Sequence, residues 1–271
     1  MAYKMLVLDL DDTLLTDDHQ ISTRNRELLL KAQEAGVYVV LASGRPTQAM
    51  MRYAELLELK RFGSYLISYN GAIITEMATG NTLFEQSLTR EQIHELHDFS
   101  VANQLHIITY KDNGIVSETD SEYIDVEKHL TGMVHHKVGC FKSAITASAV
   151  KCILLESPAY LKLMEVKLKA AKPDLSVALS KPFFLEVMPH GIDKAASIDR
   201  LGKRLNIAPA DIIAVGNAHN DLSMVEYAGL GIWVDNVADE LRHRADVIVA
   251  SNNNDGVAEV VERFILDAMP A

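Results

Sequence analysis

The sequence predicts an α/β protein, a doubly wound parallel-sheet core interrupted by an inserted α+β cap. Three observations predict it. Short apolar runs alternate with helix-length amphipathic stretches at both ends of the chain. Those runs are apolar throughout, as strands covered on both faces are. The middle of the chain loses this rhythm and turns to hairpin and capping signals.

The elements follow in order. Residues 5–10 read as a buried strand. The loop "TDDHQIS" leads to Ser22 or Thr23, either of which can cap a helix reaching about residue 35, with Leu28, Leu29 and Ala32 inward and Gly36 as its stop. "VYVVLAS" (37–43) is a second buried strand, and Pro46 opens the helix after it. "YLISYNGAII" (65–74) runs into an Asn-Gly turn. The pattern resumes with strands at 212–217, 229–236 and 246–251 and helices near 193–206, 219–228 and 255–268. Between them, Thr89 and Gln92 make a capping-box pair for a helix at 89–103. A turn at Asp112-Asn113-Gly114, the run "VKCILLES", a helix at 158–172 and "LSVALSKPFFLEVMP" complete the insertion. The expected organisation is a core of residues 1–83 and 188–271 around a cap of residues 84–187.

Composition narrows the function. A chain of 271 residues suits two domains. The formal net charge of -11, without a long basic stretch, argues against nucleic acid or an anionic membrane as partner. No apolar run reaches the roughly 20 residues of a membrane span. Asp9, Asp11 and Asp12 fall where the apolar region of a signal peptide would lie, so a cytoplasmic protein is expected. Cys140 and Cys152 are the only cysteines, too few for a disulfide framework or a thiolate metal site. No protein partner is predicted.

In a doubly wound sheet, ligands bind beyond the carboxyl ends of the strands, where strand order reverses. The predicted strand ends carry Asp9-Leu10-Asp11-Asp12-Thr13, then Ser43-Gly44-Arg45, then Asn217 with Asn220 and Asp221. Lys194 opens the helix before the last of these. Singly, each has a plain reading as a cap, a loop or a solvated charge. Together at one sheet edge they suit a metal ion and a phosphate. Mg²⁺ takes oxygen ligands and keeps several waters. It would relieve the repulsion between Asp9 and Asp11. Asp9 can attack phosphorus and form an aspartyl-phosphate. Asp11 can protonate the leaving oxygen and later activate water. Ser43 can hold phosphoryl oxygens, and Lys194 can neutralise charge on phosphate and nucleophile.

"DLDDTLL", "ASGR", "GIDKA" and "GNAHND" resemble, in order, the four motifs of the haloacid dehalogenase superfamily. With "SYNGA" and "NNNDG" the resemblance is closest to the Cof-type sugar phosphatases, and it covers essentially the whole chain. It implies a Rossmann-like core, a substrate-selecting α/β cap, and Mg²⁺-dependent hydrolysis of small phosphorylated metabolites such as sugar phosphates or phosphorylated cofactors. It implies Asp9 as nucleophile and Asp11 as acid/base. Leu10 (through its backbone), Ser43, Gly44, Lys194 and Asn220 are implied as phosphate contacts. Arg45, Asn70 and Gly71 are expected near the substrate, and Asp235 and Asn236 behind the site. Asp9, Asp11, Asn217 and Asp221 are the expected metal ligands. Asn217 departs from the pattern, because the family usually has Asp there. An amide brings no charge, so the alternative reading is a catalytically weak binder of phosphorylated metabolites. A phospho-accepting receiver domain is disfavoured by the insertion.

Overall fold

A computed structural model describes residues 3–267. The chain divides into two compact units, one of residues 1–84 with 193–271, the other of residues 85–192. The second boundary falls a few residues beyond the expected 187, because the last hairpin of the inserted unit runs on to Pro189.

In the first unit, β1 (Met5–Leu8), α1 (Thr23–Glu34), β2 (Tyr38–Ala42), α2 (Thr47–Leu56), β3 (Tyr65–Ser68), β4 (Ile73–Glu76) and β5 (Thr82–Glu85) come first. The inserted unit contributes α3 (Arg90–Ala102), β6 (His106–Lys111), β7 (Gly114–Ser117), α4 (Glu122–Thr131), β8 (Val134–Lys137), α5 (Phe141–Ala144), β9 (Cys152–Leu155), α6 (Pro158–Ala171), β10 (Leu175–Lys181) and β11 (Phe184–Pro189). The chain then returns through α7 (Lys194–Leu205), β12 (Ile212–Gly216), α8 (Leu222–Tyr227), β13 (Leu230–Val234), β14 (Val247–Val249) and α9 (Gly256–Val261). Beyond α9 a wider helical turn continues to Leu266, and residue 268 of the predicted helix lies outside the described residues.

Among the described residues the first sheet runs β14-β13-β12-β1-β2-β3-β4-β5. From β14 to β3 every pairing is parallel, and β4 folds back antiparallel on β3 through the Asn-Gly turn. Alternation along each strand divides the core. Leu6, Leu8, Leu41 and Val215 pack on one face with residues of α1, α2 and α9. Met5, Val7, Ala42 and Ala214 pack on the other with residues of α7 and α8. The chain leaves β1 toward β2 on one side and comes back at β12 on the other. Strand order therefore reverses at β1, and the carboxyl ends of β1, β2 and β12 meet there.

The inserted unit has a six-stranded sheet among its described residues, in the order β10-β11-β9-β6-β7-β8, with only β7–β8 parallel. Its core packs α3 and α6 on one face through Ile93, Leu96, Leu161 and Leu168. The Thr89–Gln92 capping box opens α3 as expected. Helices α4 and α5 and strand β8 are additions to the sequence reading. No described helix is long and apolar enough to cross a membrane.

Candidate active site

Beyond β1 the backbone winds into one wide turn over Leu10–Leu14, closed by Leu15 N donating to the Leu10 carbonyl at 2.9 Å. Asp12 takes a left-handed conformation in that turn (φ +56°). Its carbonyl accepts from the Asn236 side chain at 2.7 Å, which places Asn236 beneath the turn. Asp235 points elsewhere, into a surface pair with Arg242.

Asp9 is only 4% exposed. Lys194, fully buried at the start of α7, donates to Asp9 Oδ1 at 2.6 Å and to Asp221 Oδ1 at 2.6 Å. Thr13 Oγ1 lies 3.1 Å from Asp9 Oδ2 and 3.1 Å from Asn217 Oδ1. The other oxygen of Asp221 accepts the backbone N–H groups of Asn217 and Ala218 at 3.1 and 3.2 Å. Burial, then the charge of Asp221, push the Asp9 carboxyl up to about 7. Burial opposes the charge on Lys194, but Asp221 and Asp9 outweigh it and hold the ammonium above its ordinary range. Two carboxylates and one ammonium share a dry space, and neither acid is left without an opposite charge.

Asp11 faces Arg45. The guanidinium grips its carboxylate with two bonds, Nε at 2.8 Å and Nη2 at 2.6 Å. His19 Nδ1 stands 3.7 Å from the same carboxylate. Ser43 Oγ accepts the Arg45 N–H at 3.2 Å, and the Ser43 carbonyl accepts the Asn70 N–H at 2.9 Å. Asn70 is left-handed (φ +55°), and its amide group closes on Gly44, where a Cβ would meet Asn70 Oδ1 at 3.1 Å. Asn70 Oδ1 is buried without a hydrogen-bond partner. Gly71 does a different job. A Cβ there would lie 2.4 Å from the Asp193 carbonyl, and its own carbonyl accepts from Ser197 Oγ at 2.6 Å. It seats the first turn of α7, and so Lys194, against the β3 turn. Leu10 is fully buried, and Asn220 is exposed.

The four expected metal ligands, Asp9, Asp11, Asn217 and Asp221, sit in different surroundings. Asp221 has both oxygens committed to Lys194 and two amides, and the carboxylate of Asp11 is held by Arg45. Among the described residues no group of three or more His, Cys, Asp or Glu side chains is arranged to hold a metal ion. Asp9 Oδ2 and Asn217 Oδ1 both lie within 3.1 Å of one hydroxyl, that of Thr13. Hard oxygens in that arrangement fit a cation that keeps much of its water, as Mg²⁺ does. The sequence placed Thr13 at the polar end of the first strand with no specific role beyond a possible cap, and gave His19 no role. The signal for Thr13 was its place four residues after Asp9 in a wound turn. His19 gave no signal of its own.

A family model described as haloacid dehalogenase-like hydrolase matches residues 6–261. A crystal structure of a haloacid dehalogenase-like hydrolase from Bacteroides thetaiotaomicron superimposes with a TM-score of 0.92 at 36% identity, covering 96% of this chain and 99% of that one. The crystal structure of TM0651 from Thermotoga maritima gives a TM-score of 0.85 at 27% identity, covering 96% and 97%. The Bacillus subtilis (strain 168) protein named 5-amino-6-(5-phospho-D-ribitylamino)uracil phosphatase YcsE is 28% identical over 263 residues, 97% of this chain and 96% of its own.

Proposed function

The chain belongs to the haloacid dehalogenase-like hydrolases, and we propose that it is a phosphatase of small phosphorylated metabolites that carries the phosphoryl group on Asp9. The observation that carries this reading is a buried carboxylate at the sheet's switch point, held at 2.6 Å by a buried lysine. Asp9 Oδ attacks phosphorus and the bond to the leaving oxygen breaks, that oxygen taking a proton from Asp11. Asp11 then removes a proton from water, which attacks the phosphorus and frees inorganic phosphate and Asp9. Lys194 neutralises charge on the nucleophile, and Asp221 holds Lys194 in place. Ser43 Oγ–H and the backbone N–H groups of the Ser43–Arg45 turn are donors for phosphoryl oxygens. Asp11 has to exchange its bonds to Arg45 for the leaving oxygen before it can act.

Asp9 and Asn217 would hold the Mg²⁺, which supplies positive charge against the phosphate dianion and the carboxylates when bound. The inserted unit is the candidate selector of the substrate. A relative named for hydrolysing a phosphorylated ribityl compound supports a sugar-phosphate-like substrate class. The neutral Asn217 favours a second reading, a weak catalyst that chiefly binds such metabolites. Hydrolysis of p-nitrophenyl phosphate with Mg²⁺ separates them. Sustained turnover is expected, and its absence in protein that still binds phosphate would establish the second reading.

A further inference from the structure

Basic side chains gather around Tyr53, and two of them, Arg52 and His19, are not used by the chemistry above. Arg52 lies on α2, exposed, with its guanidinium 4.5 Å above the ring of Tyr53 and donating to the Tyr53 hydroxyl. Tyr53 is 1% exposed, and its hydroxyl donates to the His19 carbonyl at 3.2 Å. The Arg45 guanidinium is 5.7 Å from the same ring. Tyr53 is therefore a buried post that fixes Arg52 and the His19 backbone, while Arg45 approaches its ring.

The charges on that post are unequal. Arg45 is matched by Asp11, with which it makes the two-bond pair. Arg52 makes no ion pair with a carboxylate among the described residues. His19 sits in a tight turn, its N–H donating to the Thr16 carbonyl at 2.8 Å and its φ at +54°. That turn brings the imidazole to 3.7 Å from Asp11. On a chain of net charge -11, an anchored arginine without a carboxylate, on the ring that Arg45 also approaches, is a local positive site. A guanidinium already fixed by a ring face and a hydroxyl loses little freedom when an anion binds it.

We infer that Arg52, with His19 beside it, forms a second anion subsite, so that the preferred substrate carries another phosphate or a carboxylate besides the phosphoryl group that is cleaved. The inference rests on the phosphatase reading for the first anion and adds the chemical class of the substrate's other end. Arg45 and Arg52 both lie within 5.7 Å of one ring centroid, which puts Arg52 near the guanidinium that holds Asp11. A neutral sugar phosphate would leave Arg52 in water and gain nothing from it.

Calorimetric titration tests this in Asp9→Asn protein, where no phosphoryl-enzyme forms on the reading above. The probes are fructose 6-phosphate and fructose 1,6-bisphosphate, each titrated into the Asp9→Asn background alone, with Arg52→Gln, and with Lys31→Gln as a charge control on the exposed side of α1. The bisphosphate is expected to bind roughly tenfold more tightly than the monophosphate, the size of one added charge-assisted contact. Arg52→Gln should bring that ratio close to one, and Lys31→Gln should preserve it. Equal affinities in the unaltered subsite, no binding of the bisphosphate, or a ratio that survives Arg52→Gln would overturn the inference. Phosphate release by the Asp9→Asn protein would show separately that the catalytic reading had failed.

Discussion

Replacing Asp221 by Asn probes the buried centre of the site. Asp221 is fully buried, and each of its oxygens faces a donor. Oδ1 receives the Lys194 ammonium at 2.6 Å, and Oδ2 receives two backbone N–H groups at 3.1 and 3.2 Å. An Asn side chain has one acceptor and one donor group, so either orientation sets an NH₂ against another donor. Breaking a buried pair by removing one partner costs about 3–5 kcal/mol. Asp9 stays on Lys194, so the lower end, about 3 kcal/mol, applies. For a chain of this size that lowers Tm by roughly 6–12 °C. A second effect has the opposite character. The charge of Asp221 is the second cause, after burial, of the raised pKa of Asp9. Its removal lowers that pKa, and Asp9 must be ionised to attack. The rising acid limb of kcat/KM should therefore move to lower pH, measured at fixed Mg²⁺, even as the protein becomes less stable. Calorimetric melting and a pH–rate profile read the two effects. A Tm within 1–2 °C of the parent, on the order of half a kcal/mol, together with an unmoved acid limb, would refute the assignment of Asp221 to Lys194.

Asn217→Asp adds a charge where an amide oxygen stands 3.1 Å from Thr13 Oγ1. The Mg²⁺ concentration for half-maximal activity should fall by up to about tenfold, and identical titration curves would remove residue 217 from the metal site. Glu127 is buried and accepts from the Tyr110 hydroxyl at 2.5 Å, and burial raises its pKa above 4.5. As pH rises past 4.5, the unfolded chain ionises Glu127 before the folded one does, so stability falls up to the folded pKa. Glu127→Gln keeps the acceptor and escapes this loss, so its Tm advantage should grow with pH through that window, and a pH-independent difference would contradict the burial argument. Cys140 is exposed, with its pKa lowered by the Ser143 hydroxyl, whereas burial pushes Cys152 up to about 12. Ellman's reagent should therefore label one thiol in the native protein and two in guanidinium, and two fast native labels would show that the sheet of the inserted unit opens.

The core was legible because its strands are unbroken apolar runs ending in polar residues. That signature located β1, β2 and β12 and so placed Asp9, Ser43 and Asn217 at one edge. Lys194 could be placed there because it opens the helix expected near 193–206, and in the structure Asp193 caps that helix, its side chain accepting from Ala196 N at 2.8 Å. What Asp221 does there was not legible. A buried Asp beside other acids reads in sequence equally as a metal ligand or as a lysine's partner, and the contact with Lys194 Nζ appears only in the folded chain. The grip of Arg45 on Asp11 was hidden for a similar reason, since a turn residue next to Ser43 carries no sign of which way its side chain folds. In the inserted unit, α4 escaped notice because only Ile124 and Glu127 of its face are buried, too few for a helical period. Strand β8 is "VHHK", largely exposed at the edge of its sheet, and shows no alternation of apolar residues. Polar edges and thinly buried helices leave little trace in hydropathy, whereas doubly covered strands leave a clear one.

The central claim is that Asp9 receives the phosphoryl group. The most direct measurement is the initial rate of p-nitrophenyl phosphate hydrolysis by Asp9→Asn beside the parent, at saturating Mg²⁺ and with the fold checked by circular dichroism. An amide cannot serve as the carboxylate nucleophile, so the account predicts a folded protein with no turnover above background. A folded Asp9→Asn protein keeping more than roughly a tenth of the parent rate, a barrier change of only about 1.4 kcal/mol, would contradict it.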